Sequence, residues 1–244
     1  GLGLPQAETA LAGSFRVSPV QLTLSRAAPT ALLTITSDGG EPTRFQVSLV
    51  SWAQDETGAM QLEPSREVVY FPALFEVKGG SERKVRISTD TFPVERERTY
   101  RLVIQELPPA AGPESPSGAQ VKVLVRMSVP VFVEGPEREA RPAVTDLALA
   151  GGHVGFRVAN DGTAHMRLLE TTVTVLGEDG APVASRRLAG WYVLAGGARR
   201  YDVELSPDEC ARARTIVVEA HTDVATVSGK LTVPAAGACA AGAS

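Results

Sequence analysis

Aromatic residues are scarce in this sequence, only 5% of 244 residues. The basic residues form no run interleaved with them, so a surface that stacks nucleic-acid bases on rings is unsupported. No apolar run approaches the roughly 18 residues of a membrane-spanning helix. There is no Walker loop and no GxGxxG, and Gly151-Gly152 and Gly196-Gly197 read as turn glycines. Histidine is limited to His153, His165 and His221, which are scattered along the chain. No nucleophile–base constellation accompanies them, so a hydrolase built on this chain lacks its chemistry. Glu95, Glu97 and Glu106 lie close together, but Arg96, Arg98 and Arg101 interleave with them. That pattern suggests salt-bridged strand ends rather than a tuned acid/base pair. No catalytic residue, metal site or cofactor is expected. The net charge of −4 provides no whole-chain attraction to nucleic acid or anionic membrane.

Cysteine is nearly absent as well. Cys210 and Cys239 are the two present, both in the C-terminal third. Without CxxC or HxxxH spacing a metal site is a weak explanation. In an exported chain such a pair favours a disulfide over two unpaired thiols. Export is suggested by GLGLPQAETALAG at the start, where Ala10-Leu11-Ala12 has the small-x-small form of a signal cleavage site. Residues 1–13 are therefore read as a signal-peptide remnant, with a disordered N-terminus as the alternative.

What the chain does have is strand pattern throughout. Apolar residues make up 43% and charged residues 21%, an ordinary globular composition at a length suited to one large or two ordinary domains. Strand-like runs occur at Phe15–Val17, Gln21–Leu24, Ala31–Thr36, Phe45–Trp52, Phe75–Val77, Lys84–Ser88 and Thr99–Leu107. A charged, proline-bracketed linker at 136–142 is followed by a second set from Ala143 to Val233. Asn160-Asp161-Gly162 and Glu178-Asp179-Gly180 are expected to be turns with positive φ. No amphipathic helix competes. The expected fold class is all-β, with two Ig-like sandwiches at 14–135 and 143–244.

Val121 to Val133, VKVLVRMSVPVFV, is the most informative stretch. Val121, Val123, Val125 and Met127 alternate with Lys122, Leu124, Arg126 and Ser128, so the run predicts one strand of about a dozen residues, long against the usual five or six. A Pro/Gly/Ser loop, Pro108 to Gly118, precedes it. Such a strand at a sheet edge is an aggregation hazard unless it is covered, or unless the edge exists to capture another chain.

Five segments in order carry a resemblance: FRVSPVQLTLS (15–25), ITSDGGEPTRFQVSLVSWAQDETG (35–58), FPALFEVKGGSERKVRI (71–87), ERTYRLVIQELP (97–108) and VKVLVRMSVPVFV (121–133). Together they resemble the first domain of periplasmic pilus-assembly chaperones of the chaperone–usher pathway. The resemblance continues more weakly through GWYVLAGGARRY (190–201) and the late cysteines. It implies two Ig-like domains in an L or boomerang, and a donor strand lent to a fibre subunit that lacks its own last strand. Chaperone–pilin donor-strand complementation is a recognised form of β-strand addition. The implied donor residues are Val121, Val123, Val125 and Met127. The implied partners are pilin-like or spore-coat U-like subunits and an outer-membrane usher, with self-association of the free chain as an open option.

The best-known branch of that family anchors the subunit's C-terminal carboxylate with an Arg and a Lys. Here those places hold Gln21 and Pro130. The FRVSPV start and the long hairpin look more like the archaic branch. A buried carboxylate still needs a charge-assisted partner; the candidates are Arg101, then Arg126 and Lys122. The alternative function is a structural or adhesive Ig-like module of a surface assembly.

Overall fold

The computed structural model describes residues 10–12, 15–108, 123–234 and 239. Strands dominate because apolar and polar residues alternate with period two. β4 (Thr30–Ser37) buries Leu33, Ile35 and Ser37, and β5 (Thr43–Gln54) buries Phe45, Val47 and Leu49 while turning the intervening side chains outward. The chain divides into two compact units. The first comprises residues up to Trp52, Leu62–Val94 and Arg98–Gly135; the second comprises Ala53–Gln61, Glu95–Glu97 and Pro136 onward.

In the first unit, β1 (Ala10–Ala12), β2 (Phe15–Ser18), β4, β9 (Glu82–Ser88) and β7 (Val69–Phe71) form one sheet in the order β1-β2-β4-β9-β7. The stretch read as a signal remnant thus includes β1, which pairs Ala10 with Val17. The other sheet runs β3 (Leu22–Leu24), β11 (Arg126–Val133), β10 (Arg98–Glu106), β5 and β6 (Met60–Pro64), with β8 (Leu74–Val77) added to β5. Between the sheets lie Phe15, Leu24, Leu33, Ile35, Phe45, Ile87, Leu102 and Ile104, all fully buried. Burial of each large apolar side chain contributes roughly 1.5–3 kcal/mol. Phe15 and Phe45 meet edge to face with ring centroids 4.9 Å apart.

In the second unit, β12 (Pro142–Ala150), β13 (His153–Asn160) and β17 (Ala198–Glu204) form a three-stranded sheet. β15 (Pro182–Ala189), β14 (Met166–Leu176), β18 (Thr215–Thr222) and β19 (Thr226–Thr232) form the other, with β16 (Tyr192–Val193) added to β14. Their core centres on Val154, Phe156, Val158, Met166, Ile216 and Val218. The architecture matches the expected all-β class of two β-sandwiches.

Several local expectations require correction. The strand expected over Val121–Val133 begins only at Arg126 among the described residues. The sequence pattern missed β1, β6, β7 and β16, which are short. It also missed a six-residue helix, α1 (Pro207–Arg212), whose Ser206 and Glu209 form a capping box. Gly180 has the expected positive φ, +77°, but Gly162 is not among the positive-φ residues. Gly162 is required by proximity instead: a Cβ there would collide with the Glu139 carbonyl oxygen. Cys210 and Cys239 are joined as a disulfide, with Cα atoms 5.9 Å apart.

Candidate functional site

β11 is paired along its whole length on one side and on part of the other. Against β10 the antiparallel register runs without a shift from Arg98↔Val133 to Gln105↔Arg126. One step further, Glu106 N–H donates to the Val125 carbonyl at 2.9 Å, so the pairing outlasts the regular strand. Against β3 the parallel register covers only Val131↔Leu22, Phe132↔Thr23 and Val133↔Leu24. Among the described residues, no strand lies beside Arg126–Pro130 on that side.

The direction of the backbone groups follows from two hydrogen bonds. The Val125 carbonyl points at β10, whereas Glu134 N–H donates to Leu24 in β3 at 2.9 Å. Successive residues of a strand aim their N–H and C=O groups to opposite sides. Val125, Met127, Val129, Val131 and Val133 therefore face β10 with their polar groups, and Arg126, Ser128, Pro130 and Phe132 face β3 or the open side. Side chains follow the same alternation. Val129, Val131 and Val133 are buried in the unit's own core, and Val125 and Met127 pack partly against it.

The four expected donor residues do not behave alike. Val123 is 77% exposed and precedes the strand. Val125 and Met127 are half-buried. Val121 lies outside the described residues, as does Lys122. The hydrophobic row thus rises out of the unit's core toward its N-terminal end.

The opposite face of β11 carries a second, smaller cluster. Arg101 pairs with Pro130 across the ladder and is only 6% exposed. Its guanidinium lies 4.5 Å over the Trp52 ring, and its Nε donates to Ser128 Oγ at 3.0 Å. Trp52 also stands 6.1 Å from Phe132. Arg101, on β10 and so one strand in from the β11 edge, is therefore held by Trp52 and Ser128, while Arg126 projects from the exposed part of the same face. Sequence reasoning had no means of seeing Trp52 and Ser128 as partners of Arg101, which are 49 and 27 positions away along the chain.

The expected interleaved salt bridges at Glu95–Arg101 are largely replaced by other partners. Glu97, which belongs to the second unit, accepts from His165 N–H at 3.1 Å and lies 2.8 Å from His165 Nδ1, both side chains being buried. Arg98 reaches Glu67 at 3.4 Å. A cavity of about 470 Å³ in the second unit is lined by Glu56, Asp146, His153, Arg157 and Asp202. These groups are mutually paired: Arg157 with Glu56 and Asp146, His153 with Asp202. The hydrogen bond and charge of Asp202 hold the His153 imidazole above its ordinary range. Such pairing stabilises ions rather than leaving a base poised to react. Among the described residues, no group of three or more His, Cys, Asp or Glu is placed to hold a metal.

Comparison with known proteins bears on this geometry. Residues 14–138 match the family described as "Pili and flagellar-assembly chaperone, PapD N-terminal domain". No curated protein matches the chain by sequence. A chain of the CsuC–CsuE chaperone–tip adhesion subunit pre-assembly complex from archaic chaperone–usher Csu pili of Acinetobacter baumannii is 17% identical, with a TM-score of 0.61, covering 89% of this chain and 98% of its own. The class 5 fimbriae chaperone CfaA is 11% identical with a TM-score of 0.58, covering 90% of this chain and 99% of its own. A chain of the Salmonella enterica SafA pilin–SafB chaperone complex is 15% identical with a TM-score of 0.58, covering 91% of this chain and 98% of its own. At these identities the structural similarity concerns the fold.

Proposed function

Because the chain belongs to the family of pilus-assembly chaperones, whose members are not enzymes, we propose that it works in the periplasm by lending part of β11 to an incomplete fibre subunit. It caps the subunit against premature polymerisation and delivers it to an outer-membrane usher. The observation that carries this reading is the one-sided pairing of β11: Arg126–Pro130 is laddered to β10 and has no described strand on its other side.

The physical logic needs no nucleotide. Backbone groups of the open edge pair with the subunit's exposed strand, each bond contributing a net ~0.5–1.5 kcal/mol. Val123, the most exposed of the row, and the partly buried Val125 and Met127 supply apolar surface to the subunit's unfinished core. Val121 extends the same alternation in sequence. A neighbouring subunit's own extension later displaces the lent strand, since it offers the same backbone bonds. A carboxylate at the end of the captured chain is met by Arg101, which is already oriented, or by the exposed Arg126; Lys122 is the remaining cation on that face of the sequence pattern.

Val123→Asp tests the proposal with little risk to the fold, because that side chain is exposed. Co-expressed with a fibre subunit of its own assembly, the variant should recover at least tenfold less subunit in an affinity pull-down, with an unchanged melting temperature. Undiminished recovery would contradict the proposal.

A further inference from the structure

We infer that Pro130 closes the capture edge and sets the register in which a partner strand docks. The inference rests on the proposed strand capture and specifies where that capture must stop. The parallel register pairing Val131 with Leu22 aims the Pro130 carbonyl at Leu22, the first residue of β3. The other backbone group that would face the open side is the amide N–H, which proline lacks. Pro130 therefore offers nothing to an incoming strand. The usable edge ends abruptly at Ser128, whose N–H and C=O, with those of Arg126, face outward.

The placement is not an accident of tolerance. A proline whose nitrogen faced β10 would break a rung of a ladder that runs unshifted through Arg101↔Pro130. With its nitrogen on the open side it costs no internal bond and removes one external donor. Prolines and short free segments are the means by which sheets limit edge-to-edge pairing. Here the limit falls at the junction between covered and uncovered edge, so it selects a register rather than abolishing pairing. A partner strand must end or turn away beside Pro130. Because side chains alternate with period two, a wrong register by one residue would present the partner's polar face to the core, and the nearest tolerated slip is two residues.

The test uses the fibre subunit that co-purifies with the chain on co-expression. Leu124→Cys provides an exposed thiol just ahead of β11, on the same face as Arg126, and a cysteine scan along the subunit's captured strand reports which residue lies opposite. With Pro130 present, disulfide cross-linking should concentrate at one subunit position. In the Pro130→Ala background, which restores an outward N–H, a second position two residues away should appear. An unchanged single position in that background overturns the role of Pro130 while leaving capture intact. No cross-link at any position with Pro130 present overturns the capture reading itself. Because Pro130 is buried, Arg126→Pro, compared with Arg126→Ala to separate the lost charge from the stop, provides a second arm on an exposed residue: moving the stop four residues back should reduce subunit recovery at least tenfold below that of Arg126→Ala, and recovery equal to that of Arg126→Ala overturns the inference.

Discussion

Arg101 is oriented before any partner arrives. Its guanidinium stacks on Trp52 and its Nε donates to Ser128, so its position depends on two neighbours that are distant in sequence. Arg101→Ala removes a stacking contact worth ~0.5–2 kcal/mol and a hydrogen bond worth ~1 kcal/mol. Urea unfolding should therefore report about 1–3 kcal/mol of lost stability. Arg101→Lys should keep the charge but lose the planar stack and recover less subunit than the parent chain, though more than Arg101→Ala. Equal recovery from all three would remove Arg101 from the anchor role. The residue scale is also where the sequence was least legible. Arg101 could be singled out because it lies on the strand expected to pair with the long apolar run. Glu97 looked like a member of an Arg–Glu string, yet its partner is His165, 68 positions away. Periodicity places a side chain on a face of a strand; it does not say which residue of another strand the fold brings opposite.

At the scale of elements, pattern predicted most strands because alternation is strong wherever one face is buried. β10 is the instructive exception to simple alternation: Tyr100 through Ile104 are all buried, since both faces of that central strand are covered. The helix α1 was missed although its signal is written in Ser206-Pro207-Asp208-Glu209, an N-cap, a proline at the first turn and an acidic residue closing a capping box. Glu209 is held below its ordinary range, first by the Ser206 backbone N–H and then by Arg186. The folded pKa thus lies below the unfolded one, so the stabilisation is present above about pH 4.5 and is lost as pH falls through the folded value. Replacing Glu209 with Gln should flatten the acid limb of the stability curve of the second unit below that pH, as followed by circular dichroism. An unchanged acid limb would contradict the role given to this carboxylate. The same helix carries Cys210, and the disulfide to Cys239 spans a sequence separation of 29 residues. Closing a loop of that length should stabilise the folded chain by ~3 kcal/mol. The Cys210→Ser, Cys239→Ser double variant should lose that much in chemical denaturation and become insensitive to reductant. Parent and variant of equal stability would mean that the cross-link constrains little.

Over the whole molecule, the two-sandwich architecture was legible because strand signals recur at short intervals and no competing helical period exists. The family was legible because five segments recur in order, and the match to residues 14–138 agrees with them. The candidate site was legible only in part. The apolar alternation of residues 121–133 singled out the stretch that includes β11, but where β3 stops pairing beside it is something no local pattern encodes. Pro130 was visible in the sequence as the place where a lysine anchor is missing. Its role at the end of the open edge required the register of three strands together.

Amide hydrogen exchange at Arg126 and Ser128 tests the central claim most directly, because these two residues direct their N–H groups to the side of β11 on which no described strand lies. Measured with and without the co-expressed fibre subunit bound, both amides should change from fast exchange to at least hundredfold protection. Amides at Met127 and Val129, already laddered to β10, should serve as protected references in both states. Exchange at Arg126 and Ser128 that is equally fast in the bound state would contradict strand donation.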